Sequence, residues 1–193
     1  MNKYVLLAKN SVETYIREKK VFLPSKDLPE ELLKNRAGVF VTIEKNNKLK
    51  GCIGTYLPTK ENIASEIISN AIVAATEDYR FEPINENELE SLSYIVSILS
   101  APERVLTKNA SDNQKTFSEK IDQSGLDPKE YGIIIKSFLP ENIGQTDKAG
   151  LLLPNLRGVD TVKKQISITC QKAGIDQSKE TFSIYRFTIK KYQ

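Results

Sequence analysis

A chain of 193 residues, 39% apolar and 27% charged, fits one ordinary globular domain with a buried core and excludes a disordered or fibrous polymer. The net charge of +3 comes from scattered Lys and Arg, not from the dense basic stripe of a dedicated nucleic-acid binder, and the absence of histidine excludes Ser-His-Asp and Cys-His machinery and any zinc site with imidazole ligands. Two distant cysteines, Cys52 and Cys170, give neither a disulfide framework nor CxxC spacing.

Residues 3–19 place Val5, Ala8, Val12, Tyr15 and Ile16 at helical spacing, which predicts an amphipathic first helix. Charges through Met1 to Lys20 leave no apolar core for a signal peptide, and no stretch reaches bilayer-spanning length, so a cytoplasmic protein is expected. Residues 21–36 hold Pro24 and Pro29 and read as a connection with one helical turn over 29–34. "GVFVTIEKNNKLKGCIGT" reads as a hairpin: Val39, Val41 and Ile43 alternate, Lys45 to Lys48 make the turn, and Leu49 to Thr55 return. Asn46 and Asn47 both tolerate the left-handed backbone such a turn demands.

Thr59 is the expected N-cap of a helix over 60–77 whose buried stripe is Ile63, Ile67, Ala71, Ala74 and Ala75. "EDYRFEP" ends that helix, and a helical turn over 86–90 leads into a strand whose Leu92, Tyr94, Val96 and Ile98 alternate. A helix is expected near 114–123. "YGIIIKSF" and "AGLLLP" read as strands joined by a long loop over 139–148. Val159, Val162, Ile166, Cys170 and Ala173 mark a helix ending at Gly174, and 181–189 is the expected final strand. Helices interleave with hairpins without following every strand, so the class is α+β with packed helices on a mixed, largely antiparallel sheet, in one domain over 1–193.

Two stretches carry candidate chemistry. Gly51 and Gly54 flank Cys52, so a ligand or another chain segment can approach the backbone there. A reactive thiol needs a lowered pKa, from Lys50, Arg80 or the N-terminus of the helix after Thr59. The competing reading packs Cys52 inward from a bent strand, with the glycines making a bulge. Cys170, in a helical apolar stripe, reads as a buried structural residue. In "EDYRF", Arg80 either pairs locally with Asp78 or caps the last helix carbonyls, or it grips a carboxylate or phosphate in a binding site.

With both stretches in view, the chain resembles the AMME syndrome candidate gene family, the AMMECR domain. Leu49 to Thr55, "LKGCIGT", is similar to that family's LRGCIGT signature, and residues 70–83, "NAIVAATEDYRFEP", to its run ending in DPRF. "LESLSYIVSILSAPE", "GLLLP", "CQKAG" and "YRF" follow in the family's order. Lys50 stands where the family usually has arginine, and Tyr79 where it has proline. The resemblance implies two closely packed lobes and a cleft lined by the GCIG segment and the DPRF-like loop. It also implies a three-part system with a MEMO-like protein and a radical S-adenosylmethionine enzyme, and RNA or a nucleotide as ligand in a modification reaction.

Cys52, Asp78 and Arg80 are thus the candidate catalytic residues, with Cys52 as nucleophile or covalent acceptor, Arg80 holding an anion and Asp78 positioning it. Lys50, Gly51, Gly54, Thr55 and Tyr79 are the candidate substrate-binding residues. No metal and no cofactor is expected, since no phosphate-binding loop or dinucleotide fingerprint is present. The alternative is a non-catalytic adaptor whose cleft docks a partner protein or nucleic acid.

Overall fold

The computed structural model describes residues 2–25, 28–105, 125–137, 148–177 and 179–193. The chain divides into two compact units, one of Met1–Ala101 with Lys190–Gln193 and the other of Pro102–Ile189.

The first unit opens with α1 (Lys3–Glu18), whose N-cap Asn2 accepts from the Tyr4 N–H. The short helix α2 (Glu30–Lys34) follows. Strands β1 (Val39–Lys45) and β2 (Lys48–Thr55) form the expected hairpin. Its turn narrows to Asn46 and Asn47, at φ 52° and 60°, the left-handed pair that matches the twist of the flanking strands. Helix α3 (Ile63–Thr76) and a short 3₁₀ helix (Glu86–Ser91) then lead to β3 (Leu92–Leu99). The C-terminal strand β8 (Ile189–Tyr192) lies beside β3, giving the sheet order β2-β1-β3-β8. β1 pairs antiparallel with both β2 and β3.

Val39, Val41 and Ile43 are fully buried and cluster with Ala8 and Val12 of α1 and Ala64, Ile67 and Ala71 of α3. The two helices therefore cover one face of the sheet, and each Val or Ile side chain so removed from water contributes about 1.5–3 kcal/mol. The small alanines of α3 allow close approach. A Cβ on Gly51 would overlap the Ala74 carbonyl oxygen, so this strand–helix contact requires glycine.

The second unit holds β4 (Glu103–Arg104), β5 (Gly132–Ser137), β6 (Ala149–Leu152), α4 (Val162–Ala173) and β7 (Phe182–Phe187). Its sheet order is β4-β7-β5-β6, with antiparallel pairing throughout. Ile133 and Ile135 pack with Ile166, Cys170, Phe182 and Ile184.

The α+β class stands, its strands divided between two four-stranded sheets. Several boundaries differ from the sequence expectation. Thr59 does not cap α3; Asn62 does, its side chain accepting from the Ser65 N–H, because Thr59 is drawn onto Glu66 instead. Val159 precedes α4, which Thr161 caps, while Gly174 ends it at φ 66° as expected. The single final strand is in fact two strands in different sheets, split at Thr188. Lys190 and Lys191 break the apolar alternation, yet Tyr192 anchors β8 by stacking on Tyr4, with ring centroids 3.9 Å apart. The expected helix near 114–123 and loop residues 139–147 lie outside the described residues. No helix among the described residues is long and apolar enough to cross a membrane.

Candidate functional site

Cys52 lies opposite Thr42 in the β1–β2 register, and its Sγ is 3.2 Å from the Thr42 Oγ1. Since Val41 and Ile43 face the helices, alternation puts Thr42 and Cys52 on the other face of the sheet. Cys52 is half-buried and does not belong to the core beneath. Of the two sequence readings, inward packing into that core is not what the structure has.

β2 is the edge strand of its sheet, and at Cys52 that edge is clamped. The Cys52 N–H donates to Asp78 Oδ2 at 2.8 Å, and Arg80 Nη2 donates to the Cys52 carbonyl at 3.1 Å. Arg80 also grips Asp78 with two donors, Nε to Oδ1 at 2.8 Å and Nη2 to Oδ2 at 2.6 Å. A carboxylate and a guanidinium thus replace the neighbouring strand that an exposed edge otherwise invites. The Asp78 side chain is 2% exposed and that of Arg80 43%. Arg80 and the Cys52 N–H hold the Asp78 carboxyl far below the usual carboxylate range despite burial. Asp78 stays ionised at neutral pH and serves as a positioning group, not a proton carrier. The Arg80 pKa is pushed up, chiefly by Asp78, with smaller electrostatic contributions from Cys52 and Tyr79.

The acid after α3 therefore has the local reason that spacing alone left open: it pairs with Arg80 and holds a strand. The helix-dipole expectation fails. Gly51 rests against Ala74, in the C-terminal half of α3, and Thr55 against Glu66 in the N-terminal half, so the positive end of the helix points away from Cys52. Lys50 is the extra residue of a β-bulge, since Ile43 pairs with Gly51 and Glu44 with Leu49. Its Nζ lies 3.5 Å from Glu88 Oε1, which Lys45 also approaches at 2.9 Å. Gly54 lies under the Phe40 ring, which a Cβ would overlap. Of the candidate residues, the clamp brings together Cys52, Asp78 and Arg80, with Tyr79 on the same turn. Gly51 and Thr55 face α3, and Lys50 goes to Glu88.

Glu66 was not among the sequence candidates. Only 1% exposed, it accepts four hydrogen bonds, from Thr55 Oγ1, Thr59 N–H, Thr59 Oγ1 and Lys60 N–H, all at 2.7–2.9 Å. Burial acts to raise its pKa, and these donors outweigh it and leave the pKa lowered. The carboxylate fastens the loop that follows GCIGT. An acid at a buried-face position beside Ile63, Ile67 and Asn70 was the available signal. Cys170 is fully buried, and burial pushes its thiol up to about 11. Among the described residues no group of His, Cys, Asp and Glu is arranged to hold a metal ion. A pocket of about 510 Å³ lined by Tyr15, Phe22, Leu23, Ile68 and Ile72 contains none of the clamp residues.

The sequence model of the AMMECR1 family matches residues 5–192. A Thermotoga maritima protein is 45% identical over 191 residues, covering 98% of this chain and 97% of its own length. Protein TK0174 of Thermococcus kodakarensis is 34% identical, over 98% of this chain and 87% of its own. A Clostridium acetobutylicum protein is 36% identical across 98% of this chain, a match that takes up 36% of that longer protein. The crystal structure of uncharacterized protein PH0010 from Pyrococcus horikoshii superposes with a TM-score of 0.78 at 28% identity, over 97% of this chain and 88% of that one.

Proposed function

The chain belongs to the AMMECR1 family, and from that premise we propose that it is the ligand-holding component of a multi-protein system with a MEMO-like protein and a radical S-adenosylmethionine enzyme. In this reading RNA or a nucleotide binds around the GCIG strand and the 78–81 turn and is modified there. The observation that carries the reading is the clamp. A buried carboxylate and a half-exposed guanidinium fix both backbone groups of the residue that bears the thiol, while the thiol itself stays out of the core. Edge protection alone needs no cysteine there and no forked donor reaching solvent.

The alternative, a non-catalytic adaptor docking a partner protein or nucleic acid, is favoured by a separate observation. Both oxygens of Asp78 are engaged and the chain has no histidine, so among the described residues no free carboxylate or imidazole stands ready beside Cys52 to transfer a proton. The first reading gives Cys52 a direct part in the chemistry, and the second assigns the chemistry to another subunit. Affinity purification of the tagged chain from its native host, with mass spectrometry of proteins and bound small molecules, tests them. The proposal expects the two partner proteins and a nucleotide or RNA fragment. Recovery of the chain alone, together with unaided turnover of a substrate by the purified protein, contradicts it.

A further inference from the structure

Tyr79 is the residue the clamp leaves unused. It is 94% exposed and so adds nothing to a core. It occupies the first central position of the turn that the Phe81 N–H closes on the Asp78 carbonyl at 3.0 Å. Proline suits that position by fixing φ, whereas a large aromatic adds no local stability there. The backbone beneath the ring is fastened, because Asp78 and Arg80 bind each other and the Cys52 peptide. Ordering the ring against a ligand therefore costs little beyond its own side-chain torsions.

Beside it the Arg80 side chain is 43% exposed, and among the described residues no group accepts from its Nη1. The turn thus offers a π face and a guanidinium edge next to the GCIG strand. Flanking charge narrows what fits. Glu77 and Glu82 are exposed on either side of the turn and repel a long polyanion, and the chain's scattered basic residues supply no track for successive phosphates. One base and one phosphate suit the pair better than an extended strand.

We propose that Tyr79 and Arg80 bind a single terminal nucleotide, free or at the end of an RNA, with the base stacked on Tyr79 and the phosphate on Arg80 Nη1. The inference rests on the nucleotide reading above and narrows it from nucleic acid in general to one nucleotide.

The chain has no tryptophan, so Tyr79→Trp installs a single tryptophan on an exposed turn, excited selectively apart from the tyrosines. The probes are adenosine 5′-monophosphate and a short RNA beginning with a 5′-phosphorylated adenosine, titrated by calorimetry against wild type, Tyr79→Ala and Tyr79→Trp. Wild type binds one probe or both, which assigns the free nucleotide or the RNA end as the source. Tyr79→Ala weakens that binding by about tenfold or more, the loss expected of one stacked base. Tyr79→Trp retains binding, and its fluorescence is quenched. If Tyr79→Ala binds as tightly as wild type, the inference fails while the nucleotide reading survives. If neither probe binds wild type, both fail. If Tyr79→Ala loses a co-purifying protein and leaves nucleotide affinity intact, the turn is a protein contact and the inference is overturned.

Discussion

Asp78→Asn is the perturbation that interrogates the clamp most sharply. The substitution keeps the shape of the side chain but turns one acceptor oxygen into an N–H₂ donor, which then faces either the Cys52 N–H or the Arg80 fork. At Oδ2 the amide loses the bonds from the Cys52 N–H and Arg80 Nη2, at Oδ1 those from Arg80 Nε and N–H, and in either case the ion pair loses its negative charge. Removing one partner of a fully buried ion pair costs about 3–5 kcal/mol, but a guanidinium this exposed regains water, so about 2–3 kcal/mol is expected. For a chain of this length that lowers Tm by about 5–10 °C.

The pH dependence has a definite sign. Because the folded Asp78 is the stronger acid, the unfolded chain binds more protons as pH falls below its ordinary value of about 3.9. The Asp78 contribution is therefore complete at neutral pH and is lost as pH falls toward the folded value. Glu66 titrates in the same direction in both proteins, so the gap between wild type and Asp78→Asn isolates Asp78. Urea titrations across that range should show the gap widest at neutral pH and narrowing below about pH 4. Equal stability at neutral pH, or a gap that stays constant into acid, refutes the clamp's energetics.

Glu66→Gln places a donor among four donors and should cost about 2–4 kcal/mol, with faster hydrogen exchange at the Thr59 and Lys60 amides; unchanged exchange there argues against its anchoring role. Gly51→Ala forces α3 off the sheet at the Ala74 carbonyl, and Gly54→Ala meets both the Phe40 ring and the Val39 carbonyl oxygen. Thermal denaturation should find both destabilised by about 1–3 kcal/mol, since each added Cβ meets backbone that must shift; wild-type stability in either variant contradicts that close approach. In the native protein at neutral pH an alkylating probe should modify Cys52 and spare Cys170, which is fully buried with its pKa pushed up to about 11. Mass spectrometry that finds Cys170 modified first contradicts that assignment.

Much of this was legible because the signals are local. Asn46 and Asn47 announce the hairpin turn, and the apolar stripe of α3 announces a helix on a sheet. What spacing could not reveal is the contact of a side chain with a backbone far along the chain. Asp78 meets Cys52 through the Cys52 N–H across 26 residues, and no pattern of residue types encodes that bond. The misplaced start of α3 has a similar origin. Thr59 has the chemistry of an N-cap, but the buried Glu66 competes for both of its donors and Asn62 takes the cap. Thr42 as the neighbour of Cys52 could have been counted from the hairpin register, since a two-residue turn fixes the pairing apart from the Lys50 bulge. The division of the last strand hinged on Tyr192 meeting Tyr4 near the other end of the sequence.

The central claim is that the GCIG strand and its clamp form a binding surface, and hydrogen exchange on the complex purified from the native host tests it most directly. The account predicts slowed exchange over residues 49–55 and 77–82 in the complex compared with the free chain, with other strands unchanged. Protection that falls elsewhere and leaves both of these segments as they are in the free protein contradicts it.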